Sequence, residues 1–592
     1  MMRTKAFWNA GNCNRESGLL LKLLGHVTHS MKNFEVAQLL DELGELVEAN
    51  GEDRFKVIAY HRAATSVRNL SEDIEQIWQD KRLEEIKYVG EGIAKKIDEY
   101  LSTGRLQLLE RLREKTPAGV PLLMKVQGIG PRTAYHLSHE MGITGVEQLK
   151  SALDSGRLDT EFGPAARESF RLGIQKLQSY ERRMLLPEAE GTFQKLASYF
   201  AALGIVAGMA GSLRRGKSTV GDLDILSTDP KVIDAVKGCP GVSQVLESGP
   251  RRTSVKLEEG TQVDVRLFKR EEYGAALIYF TGSKDHNIAL RNLAIEKGWK
   301  LNEYGLSDKG GKRLAGETEQ ELYGKLGMEF IPPELRENRG EVEAALSGKL
   351  PRLVEFGAIK GDLQMHSTWS DGAVELGEMA RAAKSRGYEY IAITDHSQSV
   401  RVANGLTNER FRRQWKEIEK LNDELSPFRI LRGVEVEIKS DGSLDFERKF
   451  LDEFDVVGAS LHQSFKQDPE KLTDRILKAI AHPSVDFVCH PTNRLIGKRE
   501  GNPIDLAKVT RSARDHGKML EIDGQPQRLD LDEIWAKKAM EEGVTLVIDS
   551  DAHSVGELDN LSYGVTVARR AWLRSKDVAN TLGLAKLLKL IG

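Results

Sequence analysis

The sequence predicts a multidomain α and α/β protein: a helical region, then a mixed sheet, then a C-terminal distorted β/α barrel. Three observations carry that expectation. From Met31 to about Gly173 the pattern is almost purely helical, and two of its turns, in "GEGIAKKIDEYLSTG" and "KVQGIGPRTAYHLSHEMG", repeat one Gly-x-Gly design. From Phe193 to Phe330 short strands mix with helices, and "VGDLDIL" and "TQVDVRLF" alternate with period two. After Gly361 apolar runs alternate with amphipathic helices, with histidines recurring where the runs stop.

A chain of 592 residues is too long for one hydrophobic core, so several domains are expected. An apolar share of 40% with 30% charged residues is ordinary for a globular protein. No apolar run approaches the roughly 18 residues of a membrane span. The net charge of −3, from 86 basic against 89 acidic residues, means that a nucleic-acid partner has to be argued from local patches. Cys13, Cys239 and Cys489 form no CxxC pair, which excludes a cysteine zinc site and fits a reducing cytoplasm. Residues 1–30 lack a convincing cleavage site and are expected to be a disordered extension or the product of a start codon read too far upstream, outside the functional argument.

In Gly90-Glu91-Gly92 and Gly128-Ile129-Gly130 the glycines permit positive φ and close approach of another molecule. The helix that follows each one opens with free N–H groups suited to a phosphate. Tight helix–helix turns would use the same residues, but two copies in one frame favour backbone binding. A third, degraded copy lies in "RLDTEFGPAARESFRLGI". "IPPELRENRGEVEAALSGKLPRLVEFG" reads as a polar, proline-broken connector.

"GSLRRGKSTVGDLDIL" places Asp222 and Asp224 on one strand face, with Leu223 and Ile225 on the other. In "TQVDVRLF", Asp264 and Arg266 face outward while Val263, Val265 and Leu267 face inward. If these strands are neighbours, three carboxylates converge and ionise together only around cations. Hard oxygen ligands suit Mg²⁺, and the Gly211-Ser212 turn with Arg215 would hold a triphosphate behind it. A solvated strand face is the bland alternative.

Seven of the 13 histidines follow Gly361. His366 and Asp371, His396, Glu435, His462, His490, and Asp551 with His553 sit where strands leave the core, the end where barrel active sites gather. One such histidine is usually structural; five in a repeated position point to a metal centre of mixed ligands suited to Mn²⁺, Zn²⁺ or Fe. His482 and His516 read as surface and helix-end residues.

"GSLRRG…GDLDIL", "VDVRLF", "YFTGSKDHNIALRN" and "LNEYGL", in that order, resemble the family X DNA polymerases over about Met31 to Glu337. The resemblance implies a helical 8-kDa-like domain over 31–115 and a fingers-like domain over 116–185. A nucleotidyltransferase palm would follow over 186–272 and a thumb-like domain over 273–337, with 338–360 as linker. It implies that Asp222, Asp224 and Asp264 hold two catalytic Mg²⁺ ions and that Asp264 assists the primer 3′-hydroxyl. Gly211, Ser212, Arg215 and Gly221 match triphosphate-binding positions. Tyr279, Phe280 and Gly282 match the segment that abuts the incoming sugar. Asn287 matches a minor-groove contact and Arg291 a template contact. Gln262 stands where the family has arginine. The glycine turns resemble helix-hairpin-helix elements, making Gly90, Gly92, Gly128 and Gly130 DNA-backbone positions. Lys96 matches a Schiff-base lyase lysine and Lys56 a phosphate ligand, although Gly92 replaces that pocket's other lysine. Helix lysines are more often solvated surface.

Residues 361–592 resemble the polymerase and histidinol phosphatase (PHP) domain, which implies up to three Mn²⁺ or Zn²⁺ ions on the eight residues above. The family opens with His-x-His, whereas this chain has Gln364-Met365-His366. In bacterial family X enzymes such a domain implies a 3′→5′ exonuclease, often with abasic-site endonuclease activity. Arg494, Lys498 and Arg499 would touch the DNA backbone or form a solvated loop. The expectation is a monomeric, cytoplasmic, nucleoid-associated repair polymerase acting on gapped or nicked DNA with dNTPs and no membrane. Two rivals are a non-catalytic DNA-end scaffold and a metabolite nucleotidyltransferase fused to a small-molecule phosphatase.

Overall fold

The structure is a computed structural model that describes all residues except 1–28, 51–53, 69–73, 87, 118, 125, 127, 182, 498 and 500. The expected extension therefore lies almost wholly outside the described residues, as does Lys498. The chain forms two compact units, Met1–Glu181 and Arg182–Gly592.

In the first unit, α1 (His29–Ala49) and α2 (Arg54–Arg68) share a core in which Leu40, Leu43, Ala63, Ala64 and Ile97 are fully buried. Ile97 comes from α3 (Glu91–Thr103), which begins after Gly90 and ends at Gly104 in the left-handed region. A second core around Leu123, Val126, Leu137 and Leu149 carries α4 (Pro131–Tyr135), with Gly130 before it and Pro131 at its first position.

Early in the second unit a helix, Leu186–Ala202, is followed by a five-stranded mixed sheet. Its strands are β1 (Ala207–Met209), β2 (Asp222–Ser227), β3 (Val242–Ser248), β4 (Arg252–Leu257) and β5 (Gln262–Leu267). They lie in the order β1-β2-β5-β4-β3, and only β2 and β5 run parallel. Leu223, Ile225, Val263 and Val265 form its buried face. Next come α5 (Tyr273–Thr281), α6 (Lys284–Glu296) and a small three-stranded antiparallel sheet. The stretch 338–360, expected as a connector, carries a helix Glu341–Leu346 whose Val342 and Ala345 join the core of Leu290 and Leu306.

The C-terminal barrel consists of β6 (Gly361–Asp362), β7 (Tyr390–Ile393), β8 (Arg429–Glu437), β9 (Val456–Ser460), β10 (Phe487–Val488), β11 (Met519–Asp523) and β12 (Leu546–Asp549). They lie parallel in sequence order, and a parallel bridge between Met365 and Ala552 closes the ring. β6 and β10 are only two residues long, so the strands of the ring are unequal. Strands covered on both sides are continuously apolar, and β7 and β9 are buried at every position.

Candidate functional site

The parallel pairing of β2 and β5 sets Asp224 directly opposite Asp264, and Asp222 opposite Gln262. The three acids therefore share one face of two adjacent strands. Arg266 lies between two of them: Nη1 donates to Asp224 at 2.6 Å and Nη2 to Asp264 at 3.2 Å. Its guanidinium sits 4.3 Å from the centre of the Phe280 ring. Ser254 and Gln262 both donate to Oδ1 of Asp264. Burial pushes the Asp224 carboxyl up to about 6; Arg266 opposes that shift, and Asp222 and Asp264 add to it. Asp222 is raised by burial and then by Asp264. Carboxylates this crowded fit divalent cations.

The turn before β2 is pressed against this cluster. Gly211 has φ +65°, and a Cβ there would lie 2.7 Å from Asp224 Oδ2. Ser212 follows in the same turn, and Gly221 stands beside Arg183, whose Nη1 would be 3.1 Å from an added Cβ. Arg215 donates from Nε to Glu337 at 3.0 Å and from Nη1 to the Thr281 carbonyl. Tyr279 and Phe280 meet edge to face at 5.0 Å, and Gly282 takes φ +69° after α5. Asn287 donates to the Tyr279 carbonyl at 2.6 Å, and Arg291 is exposed further along α6.

In the first unit, a Cβ at Gly90, Gly92 or Gly130 would meet nothing within 4 Å, so packing does not demand glycine there. Gly128 differs: with φ +95°, its Cβ would strike Ser169 Oγ at 2.3 Å. Lys96 Nζ donates to the Gly92 carbonyl at 2.8 Å and lies 5.8 Å from the Tyr60 ring centre. Burial lowers its pKa; Glu99 works against that, and the charge of Lys56 adds to it. Lys56 is exposed on α2.

At the C-terminal ends of the barrel strands the eight expected residues form one connected cluster, in which four histidines approach Glu435. Its Oε1 lies 3.2 Å from His462 Nε2 and 3.0 Å from His490 Nε2. Its Oε2 lies 3.0 Å from His396 Nδ1 and 3.5 Å from His366 Nε2. His366 Nε2 also lies 3.2 Å from Asp551. Asp371 approaches His396 at 3.5 Å and His553 at 3.7 Å. Two sets, His366–Asp371–His396–His553 and His396–Glu435–His462, bring their donor atoms within 4.8 Å of one another. Both ring nitrogens of His366, Nδ1 of His396 and both oxygens of Glu435 are buried with no hydrogen-bond partner among the described residues. Orphaned polar atoms in such a donor set fit metal ions. Gln364, two residues before His366, is fully buried, and both of its amide atoms lack partners among the described residues.

The charges inside this cluster lean on one another. Burial opposes ionisation of Glu435, yet His462 and His396 hold it well below the usual carboxylate range. Burial also opposes a charged His553, but Asp371 and Asp551 lift it to about 9. His490 is lowered, first by burial and then by Arg528.

Several participants escaped sequence reasoning. Glu437 accepts from His462, at 3.0 Å from Nδ1, and the alternation in "VEVEI" was a usable signal for it. Arg528 lies 3.8 Å from Asp551 and 3.5 Å from Asp523, contacts that no local spacing predicts. Ser254 became visible only through strand pairing. The basic loop is largely engaged with backbone: Arg494 donates to the Arg528 carbonyl at 2.7 Å and Arg499 to that of Asn493 at 2.7 Å. His482 is half-buried and His516 exposed, and neither belongs to the metal-ligand sets.

Comparison with known proteins agrees with this geometry. A helix-hairpin-helix domain model matches residues 31–106, a DNA polymerase beta thumb model 276–337, and a PHP domain model 362–561. The DNA polymerase/3′-5′ exonuclease PolX of Bacillus subtilis (strain 168) is 39% identical over 564 residues, covering 94% of this chain and 98% of that one. DNA polymerase lambda of Arabidopsis thaliana is 29% identical over 343 residues, 51% of this chain and 62% of its own. A protein named "Probable phosphatase" from Thermoanaerobacter sp. (strain X514) is 32% identical over 231 residues, 37% of this chain and 89% of its own. With its paired acids on adjoining strands, its histidine-lined barrel and a near full-length relative, the chain belongs to the bacterial family X DNA polymerases that carry a C-terminal PHP domain.

Proposed function

We propose that this chain fills short gaps in DNA during base excision repair and trims primer 3′ ends at a second, hydrolytic centre. The observation that best supports the reading is the pairing of Asp224 with Asp264, beside a Gly211 turn that has no space for a side chain. Asp222, Asp224 and Asp264 would hold two Mg²⁺ ions. His366, Asp371, His396, Glu435, His462, His490, Asp551 and His553 would hold up to three Mn²⁺ or Zn²⁺ ions. Bound there, such ions neutralise charge on a transferring phosphoryl group and, in the barrel, make water more acidic.

The chain's own residues supply the rest. Asp264 is oriented by Ser254 and Gln262 through Oδ1, which leaves Oδ2, paired with Arg266 Nη2, as the atom that would meet a primer hydroxyl once Arg266 withdraws. Arg266 is the counter-ion that cations would displace, and Phe280 gives its guanidinium a face to rest on. Arg215, Ser212 and the turn N–H groups would receive a triphosphate. In the barrel, the Asp551 carbonyl and the Glu437 carboxylate engage Nδ1 of His553 and of His462, which would leave the Nε2 atoms facing the cluster. Lys96, with a lowered pKa beside Lys56, would serve as a lyase nucleophile, and the barrel would also cut abasic sites. The division 31–115, 116–185, 186–272, 273–337 and 361–592, a monomeric state and a cytoplasmic site of action complete the proposal.

A gap-filling assay on a one-nucleotide gap, with Mg²⁺ and Mn²⁺ in parallel, tests it. Template-directed incorporation of one dNTP is expected, with affinity for the gap falling steeply as salt rises. Tight binding to the gap with no incorporation in either metal would favour a scaffold instead.

A further inference from the structure

The turn that carries Arg215 is held by a helix of the barrel domain. α7 (Leu561–Arg570) presses its Thr566 on Gly216, where an added Cβ would lie 2.4 Å from Thr566 Cγ2. Arg570, the last residue of that helix, is 3% exposed. Its Nη1 donates to the Arg215 carbonyl at 2.6 Å, and its Nη2 to Glu337 at 3.0 Å and Glu533 at 2.8 Å. Glu337 in turn accepts from Arg215 Nε at 3.0 Å. Arg570 thus grips Arg215 twice, directly at the backbone and through a shared carboxylate at the side chain.

That closed ring fixes the plane of the Arg215 guanidinium. Nε is committed to Glu337 and Nη1 to the Thr281 carbonyl, while Nη2 has no partner among the described residues. An arginine held by two of its nitrogens loses little freedom when the third meets a phosphate. Glu337 remains charged because Arg570, Arg215 and Lys217, at 3.9 Å, outweigh its burial. Glu533 anchors the far side, also 3.6 Å from Arg339.

We propose that Arg570 of the barrel domain is a positioning residue for nucleotide addition: through Glu337 and the Arg215 carbonyl it orients Arg215 toward the triphosphate of the incoming nucleotide. The proposal rests on the reading of Arg215 as a triphosphate ligand. It assigns the barrel a part in polymerisation that is separate from its own metal centre, since neither Arg570 nor Glu533 belongs to the metal-ligand sets.

Steady-state gap filling by Arg570→Ala, Arg570→Lys, Arg215→Ala and the Arg215/Arg570 double alanine variant tests this, with 3′ trimming measured in the same samples. Arg570→Ala is expected to raise KM for the dNTP roughly tenfold with kcat within about twofold, because only a ground-state contact is misaligned. Arg570→Lys should recover part of the loss, and trimming should stay within about twofold. The double variant should be no worse than Arg215→Ala alone, since both act through one guanidinium. If Arg215→Ala raises KM and Arg570→Ala does not, the proposal fails while the reading of Arg215 stands. If Arg215→Ala leaves KM unchanged, it is the reading of Arg215 that fails. Should Arg570→Ala not fold, Glu533→Gln tests the same joint from its far side: a smaller KM rise is expected, and an unchanged KM overturns the proposal.

Discussion

The palm and the barrel both gather carboxylates in low-dielectric surroundings, yet they balance that charge differently. In the palm the counter-ion is Arg266, a permanent cation 2.6 Å from Asp224 and 3.2 Å from Asp264. In the barrel, four imidazoles meet Glu435 instead. Asp224 and Asp264 therefore have a hydrogen-bonding partner without metal, whereas several barrel donor atoms have none among the described residues. On the proposed function, divalent ions would arrive with the nucleotide in the first site and reside in the second. The difference makes the two centres separable by mutation.

The largest effect should come from Asp222→Ala, which removes a proposed metal ligand without touching the Arg266 pairs. Nucleotide addition should fall by ~10³-fold or more, several kcal/mol of transition-state stabilisation, with 3′ trimming retained. Loss of trimming in a folded Asp222→Ala protein would break the separation. Glu435→Gln is the reciprocal test, and His366→Ala or His553→Ala should behave alike. Trimming should fall on the order of 10³-fold while addition persists. Metal analysis after desalting should find transition metal retained by the unmodified chain and lost from Glu435→Gln.

A proton dependence sharpens the comparison at the palm. Asp224 ordinarily titrates near 3.8 and stands at about 6 in the folded chain. A raised carboxyl pKa means the folded state holds the extra proton, so its stabilisation is complete below 3.8 and is lost as pH rises through 6. Mg²⁺ should thus raise the unfolding temperature at pH 7.5 more than at pH 5, and Asp224→Asn should erase that difference. At limiting Mg²⁺, nucleotide addition should drop roughly tenfold per pH unit below 6. The smallest effect belongs to Gln364→His, which replaces a buried, unpartnered amide with an imidazole. Metal affinity of the barrel should tighten roughly tenfold, about 1.4 kcal/mol, measurable by chelator competition.

Much of this was legible because chemistry-bearing residues lay within strands of known period. Asp222 and Asp224 could be placed on one face from "VGDLDIL" alone, and the five barrel histidines announced themselves by ending apolar runs. Arg266 was visible as an outward residue but not as the counter-ion of Asp224, because that contact joins two strands 42 positions apart. The stretch 338–360 misled for a related reason. Its composition is polar and proline-broken, yet Glu341 is buried and lies 2.7 Å from His286 Nδ1, a partner no local pattern predicts.

By itself, then, the sequence determined which side chains face together within each strand and each glycine turn, since backbone geometry imposes those periods wherever the segment lies. Only the tertiary structure decided which carboxylate meets which cation: the register of β2 on β5, the closure of the barrel around Glu435, and the grip of Arg570 on Arg215. Those choices depend on distances between segments far apart in the chain, and packing, not local periodicity, sets them.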